Sequence, residues 1–198
     1  MISSLQADAF VESQGRASLP LTVRKAGMRD IPPILELING YAARGVMLPR
    51  TEFELSEAIR DFTVVTHGNR LLGSGALHFY SPTLAEIRSL AVAEQAQTQG
   101  VGRRLVAALV EEARDYELDA AFAFTYATEF FRKVGFQVVE RGVLPLKAWK
   151  DCLRCPRFQA CDETAVLRIL RPQRWNAQVW QVATPGDGFI QIPVPQQM

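Results

Sequence analysis

Apolar residues recur along this chain in two rhythms, one helical and one alternating. Ile34, Leu35, Leu37, Ile38 and Tyr41 follow one helix face. Asp30 caps that stretch, and Pro32 and Pro33 fall in a first turn where a missing N–H costs nothing. The pattern predicts a helix that stops near Gly45. Thr51 and Glu54 form a capping box for a second helix ending near Asp61. Strand patterns cover residues 21–25, 62–66, 70–80 and 85–92, with His67-Gly68-Asn69 and Ser81-Pro82-Thr83 as the reversals. Apolar positions at 101, 105, 106, 108, 109 and 113 predict a long helix. A strand over 120–125, a short helix over 128–134 closed by Gly135, and a strand over 136–140 follow. Residues 165–170 read as a further candidate strand. The order βααβββαβαβ predicts an α/β (α+β) domain with a mixed central sheet flanked by helices.

The chain is organised around residues 85–116. Between strand and helix lies Gln97-Thr98-Gln99-Gly100-Val101-Gly102, a glycine-bearing turn that opens directly into the helix. Such a turn directs free backbone N–H groups and the positive end of the helix dipole at one spot. Glycine there lets a pyrophosphate approach without a Cβ in the way, and Arg103 and Arg104 add positive charge. A dinucleotide fingerprint requires G-x-G-x-x-G close behind the strand, whereas the spacing here is Q-x-x-G-x-G. The bland alternative is a connection whose glycines only shape the turn.

Composition narrows the class. The chain has 198 residues, 48% of them hydrophobic and 22% charged, as in a globular domain with a sizeable core. A net charge of +1 gives no reason to expect nucleic acid or an anionic membrane surface, and no apolar run reaches spanning length. Residues 1–20 read as a loose leader without the basic and apolar regions of a secretory signal. Residues 171–198, rich in Pro and Gln, read as a tail. The missing signal and an odd count of three cysteines predict reduced thiols and a cytoplasmic protein.

The Q-x-x-G-x-G turn after a strand ending Leu90-Ala91-Val92 resembles the acetyl-CoA-binding motif of the GNAT N-acetyltransferase superfamily. Further phrases resemble the N-acetylglutamate synthases within it: YAARGVMLPR at 41–50, AEIRSLAV at 85–92, and FTY at 124–126 leading to FFRKVGF at 130–136. The ending LPLKAWKDC at 144–152, with Cys155, Pro156, Cys161, Asp162 and Glu163, resembles the short single-domain bacterial members. The resemblance covers residues 21–168. It implies a GNAT fold over 21–150, with 151–170 as a cysteine-containing extension.

What the resemblance implies chemically is acetyl transfer from acetyl-CoA to the α-amine of L-glutamate, the first step of arginine biosynthesis. Glu86 matches the acidic residue of the family's central strand and is the expected general base. Set between apolar Ala85 and Ile87, it would be shielded from water; an ion pair with Arg88 is the structural alternative. Backbone N–H groups around Leu90, Ala91 and Val92 are expected to stabilise the oxyanion. Gln97, Thr98, Gln99, Gly100, Val101, Gly102 and Arg103 are expected to hold the co-substrate. Two carboxylates need fixed cations, and Arg50 and then Arg88, which shares a strand face with Glu86, are the candidates, with Thr125 and Tyr126 beside them. Tyr126 fits packing equally well. His67 reads as a turn residue and His78 as a strand residue lining the pocket, neither with a catalytic role.

Two departures are visible. Phe131 stands where many GNAT enzymes carry a tyrosine general acid. The longer synthases carry a kinase-like, arginine-binding domain for which this chain has no room, so arginine feedback is not carried over. Cys152, Cys155 and Cys161 admit a zinc site completed by Asp162, Glu163 or another chain, but three thiols are one ligand short, and no metal is assigned. Glutamine or another small amine is the rival acceptor. A non-catalytic acetyl-CoA- or metal-responsive module is the rival class, and a homodimer is left open.

Overall fold

The computed structural model describes residues 20–144, 155, 157 and 160–175. The elements are β1 (Leu21–Lys25), α1 (Ile31–Ala42), α2 (Glu52–Ala58), β2 (Phe62–His67), β3 (Arg70–Ser81), β4 (Leu84–Val92), α3 (Val101–Asp115), β5 (Ala120–Thr125), α4 (Thr128–Lys133), β6 (Gln137–Val138) and β7 (Thr164–Ile169). The leader, the tail and Cys152 lie outside the described residues. β1 and β5 coincide with the predicted strands, and α2 begins at the Thr51–Glu54 capping box, where the Glu54 N–H donates to Thr51 Oγ1 at 3.2 Å and the Thr51 N–H to Glu54 Oε2 at 2.8 Å.

Two readings are corrected. Asp30 makes no side-chain cap for α1; its carboxylate accepts from the Gly27 N–H at 2.8 Å and pairs with Arg24 at 2.7 Å. The nearer donors win because residues 28–30 form a separate 3-10 turn. The strand expected over 136–140 shrinks to Gln137–Val138, since Phe136 turns into the core and a 3-10 turn begins at Arg141. The candidate strand over 165–170 forms as β7, which pairs with β5 on one edge and β6 on the other.

The seven strands run in the order β1-β2-β3-β4-β5-β7-β6. All neighbours are antiparallel except β4 and β5, which α3 joins by a parallel crossover. On one face, Ile31, Ile34 and Ile38 of α1, with Leu55 of α2, pack on Phe62, Val64 and Ala76. On the other, Val106, Leu109, Val110 and Ala113 of α3 cover Leu77, Ala85, Ile87, Ala121 and Ala123. Each large apolar side chain so buried contributes about 1.5–3 kcal/mol.

α3 lies tight against β3 because two glycines remove side chains from the contact. A Cβ on Gly73 would stand 2.9 Å from the Ala91 carbonyl oxygen and 3.0 Å from Val101 Cγ1. The backbone oxygen cannot yield as a side-chain end would. Gly73→Ala should therefore lower unfolding stability by about 1–3 kcal/mol in a urea titration. An unchanged midpoint would show that neither the Ala91 carbonyl nor the helix presses on this position.

Candidate active site

The site begins with a miscount between two strands. Ser74 pairs with Ala91 and Ala76 with Arg88, so Gly75 alone faces both Ser89 and Leu90. Ser89 takes a left-handed φ of 51°, which costs a non-glycine residue about 1–2 kcal/mol. A bulge of this kind bends and twists the strand that carries the extra residue. On its other edge β4 pairs with β5 only as far as Glu86 opposite Phe122, while β5 continues along β7 to Thr125 opposite Thr164. The result is a notch between β4 and β5, opening at Ile87 and bordered on the β4 side by Leu90, Ala91 and Val92. Two contacts hold that border in place: the Ala93 N–H donates to the Leu72 carbonyl at 2.8 Å, and the Tyr41 hydroxyl to the Val92 carbonyl at 2.6 Å.

The turn beyond β4 has the geometry of an anion seat. Thr98 and Gly100 are both left-handed, with φ of 69° and 78°. The Arg104 N–H donates to the Gly100 carbonyl at 3.0 Å and is the first to close α3, so the N–H groups of Val101, Gly102 and Arg103 lie ahead of the helical ladder. Gln97, Thr98, Gln99, Gly100 and Arg103 are exposed, and Val101 is buried as the anchor. A Cβ on Gly102 would meet the Phe130 ring at 3.2 Å. Exposed donors, a helix dipole and a surface without Cβ atoms suit a diphosphate.

Chemistry-bearing side chains collect on the α1–α2 face of the sheet. Glu86 is 1% exposed and stands directly across from His78. Arg88, two residues on, stands across from Ala76 and is half-buried. Arg50 follows α1 on the same side of the sheet. Its backbone is held at both polar groups by Asn39, whose Nδ2 donates to the Arg50 carbonyl at 3.0 Å while its Oδ1 accepts from the Arg50 N–H at 2.9 Å. Tyr41 joins this side to the anion seat, because its hydroxyl accepts from Gln97 Nε2 at 2.8 Å. The Arg44 guanidinium lies 4.4 Å over the Tyr41 ring and pairs with Glu94.

The profile of the acetyltransferase (GNAT) family matches residues 36–136. The chain belongs to the GNAT acetyltransferase family. It is 38% identical over 148 residues to an uncharacterised N-acetyltransferase of Chlorobaculum tepidum, covering 75% of this chain and 96% of that one. It is 36% identical over 135 residues to an amino-acid acetyltransferase of Mycobacterium tuberculosis, covering 67% of this chain and 77% of that one. Among solved structures, N-acetylglutamate synthase from Neisseria gonorrhoeae, complexed with coenzyme A and N-acetyl-glutamate, superposes with a TM-score of 0.68 at 33% identity. That match covers 76% of this chain and 35% of the synthase, so the chain spans about a third of that protein. The enzyme is thus an acetyl-CoA-dependent N-acyltransferase.

Within this GNAT enzyme the remaining expected residues divide. Thr125 lies one strand position off the face that carries Phe122 and Phe124, and its Oγ1 accepts from the Ala127 N–H at 2.9 Å, closing the turn into α4. The structure does not bring it to Glu86. Tyr126 follows at the end of β5, with its hydroxyl donating to Asp162 Oδ1 at 2.7 Å and accepting from Arg157 Nη1 at 3.2 Å. Burial and then the Asp162 bond push the phenol up to about 12, so its proton is committed to Asp162 near neutrality. Phe131 is 3% exposed and packs edge-on against Phe130 and Phe136, a core ring with no proton to give.

Cys155 and Cys161 are half-buried free thiols, and the Cys161 thiol points at Glu163 Oε2 from 3.9 Å. Among the described residues no group of three or more His, Cys, Asp and Glu side chains is placed to hold a metal ion. No helix among them is long and apolar enough to cross a membrane. Sequence reasoning missed Asn39 and Tyr41 as site-building residues. Asn39 carried a faint signal, being a poor helix former inside a helix. On alkaline titration, the phenolate absorbance lost in Tyr126→Phe relative to wild type should have its midpoint at about 12. A midpoint of about 10, the ordinary tyrosine value, would show that neither the burial of the phenol nor its Asp162 bond persists in solution.

Proposed function

We propose that this enzyme transfers acetyl from acetyl-CoA to the α-amine of L-glutamate, as an N-acetylglutamate synthase of cytoplasmic arginine biosynthesis. The carrying observation is the juxtaposition on one sheet face of a buried carboxylate, Glu86, with Arg88 two positions along the same strand, beside the β4–β5 notch. Names of relatives support the same reading: amino-acid acetyltransferase, and a synthase solved with N-acetyl-glutamate.

Each residue has a role in this reading. The turn from Gln97 to Arg103 seats the diphosphate of acetyl-CoA, and the notch admits the arm that carries the thioester. Arg50, pinned by Asn39, and Arg88 hold the two carboxylates of glutamate, using planar forks that pair with both oxygens of each group. Tyr126 forms the far wall. An ammonium has no lone pair with which to attack, so Glu86 takes one proton from it. The freed amine then attacks the thioester carbonyl, and the N–H groups along Leu90–Val92 receive the charge that gathers on oxygen. The thiolate leaves with a proton from water, since the Tyr126 proton is held by Asp162.

The deciding measurement is CoA release from acetyl-CoA across a panel of amino acids. L-glutamate should give the highest kcat/KM, and a preference for glutamine or another amine would sink the substrate assignment. Glu86→Gln should lower kcat by about 10²-fold or more while KM for acetyl-CoA holds. Arg50→Ala should raise KM for glutamate by about tenfold or more, the value of one charged hydrogen-bonded contact. An unmoved KM would exclude Arg50 from the pocket.

A further inference from the structure

Glu86 presents a difficulty that its own surroundings do not solve. A base that removes a proton in every turnover must also discard it, and a side chain 1% exposed has little contact with bulk water. The neighbouring strand offers a route. His78 is the register partner of Glu86 across the β3–β4 ladder, so the two side chains leave the same face about 4.5–5.5 Å apart at Cβ. His78 Nδ1 lies 3.1 Å from Asp61 Oδ2, in the 3-10 turn that leads into β2. Asp61, His78 and Glu86 thus form a line across the sheet. Along it exposure rises from the buried Glu86 to His78 and Asp61, whose side chains are 26% and 27% exposed.

We infer that the His78–Asp61 pair is the proton exit of this enzyme, acting through Glu86. Asp61 accepts from Nδ1–H, which fixes the tautomer and leaves Nε2 as the acceptor. The acceptor ammonium loses one N–H bond as Glu86 gains an O–H bond. Glu86 then returns to carboxylate by giving that proton to His78 Nε2, directly or through one water. The imidazolium is stabilised by the Asp61 carboxylate until it releases the proton to solvent, and no electrons are exchanged with any partner. The other groups with a bearing on this imidazole are Arg88 on the same face of β4 and Tyr80, whose ring stands edge-on 5.6 Å away.

The inference rests on Glu86 being the base, and the experiment separates the two. His78→Ala, Glu86→Gln and Asp61→Asn are compared with wild type for kcat and both KM values, with thermal melting to confirm the fold. His78→Ala should lose about 10²-fold in kcat with both KM values unmoved, and added imidazole should restore about tenfold, at the modest end of acid–base contributions. Asp61→Asn should lose less, because the imidazole remains. If His78→Ala does not fold, His78→Gln keeps the side-chain bulk and gives the same reading of kcat and KM. Wild-type kcat in a folded His78 variant, or a slow His78→Ala that imidazole leaves unchanged, overturns the exit while leaving Glu86 standing. Full activity in Glu86→Gln removes the base and the exit together.

Discussion

The site depends on one unequal ladder. Because β4 spends two residues, Ser89 and Leu90, where β3 spends only Gly75, β4 twists away and its pairing with β5 stops at Glu86. Backbone groups that a regular sheet would have satisfied internally are thereby presented at a notch between two parallel strands. Gly75 is part of that device: a Cβ there would stand 2.9 Å from Leu90 Cδ1, so the residue facing the bulge must be small. The left-handed cost at Ser89 persists because α3, packed on Gly73, Gly75 and Leu77, leaves β3 no freedom to realign.

Around the notch the two faces of the sheet divide the labour. The first turn of α3 is anchored by the buried Val101, Leu105 and Leu109, while its leading N–H groups stay outside the helical ladder. The α1–α2 face carries Glu86 and Arg88, and Asn39 keeps the loop with Arg50 in place through two hydrogen bonds to its backbone. Tyr41 crosses between them, bonded to the last carbonyl of β4 and to Gln97 of the seat. One hydroxyl therefore ties the turn before α3, the notch border and α1 together. The Tyr126–Asp162–Arg157 cluster does a similar task at the other end, fastening the segment before β7 to the end of β5.

Much of this was legible from local rules. Hydrophobic spacing placed α1, α3 and five of the strands, and the capping box at Thr51 marked α2. Q-x-x-G-x-G followed by a helix pointed to an anion seat because its physics is local: free N–H groups, a dipole and absent Cβ atoms. Asp30 was misread because its best donors, Gly27 and Arg24, lie before the helix. The face on which Thr125 lies depends on strand register, and its hydroxyl accepts from the Ala127 N–H, neither of which the local sequence displays. The Asp61–His78 contact gave no signal, as the two residues are separated by a strand and a turn and meet only when β2 and β3 pair.

By itself the sequence determined most of the elements and the glycine-bearing turn that opens into α3, since each rests on residues close together in the chain. Only the tertiary structure decided where the sheet opens, which side chains share the face of Glu86, and that β7 inserts between β5 and β6. The reason is that register and strand order are set by non-local pairing, and a single residue gained or lost in a ladder changes the neighbours of everything beyond it.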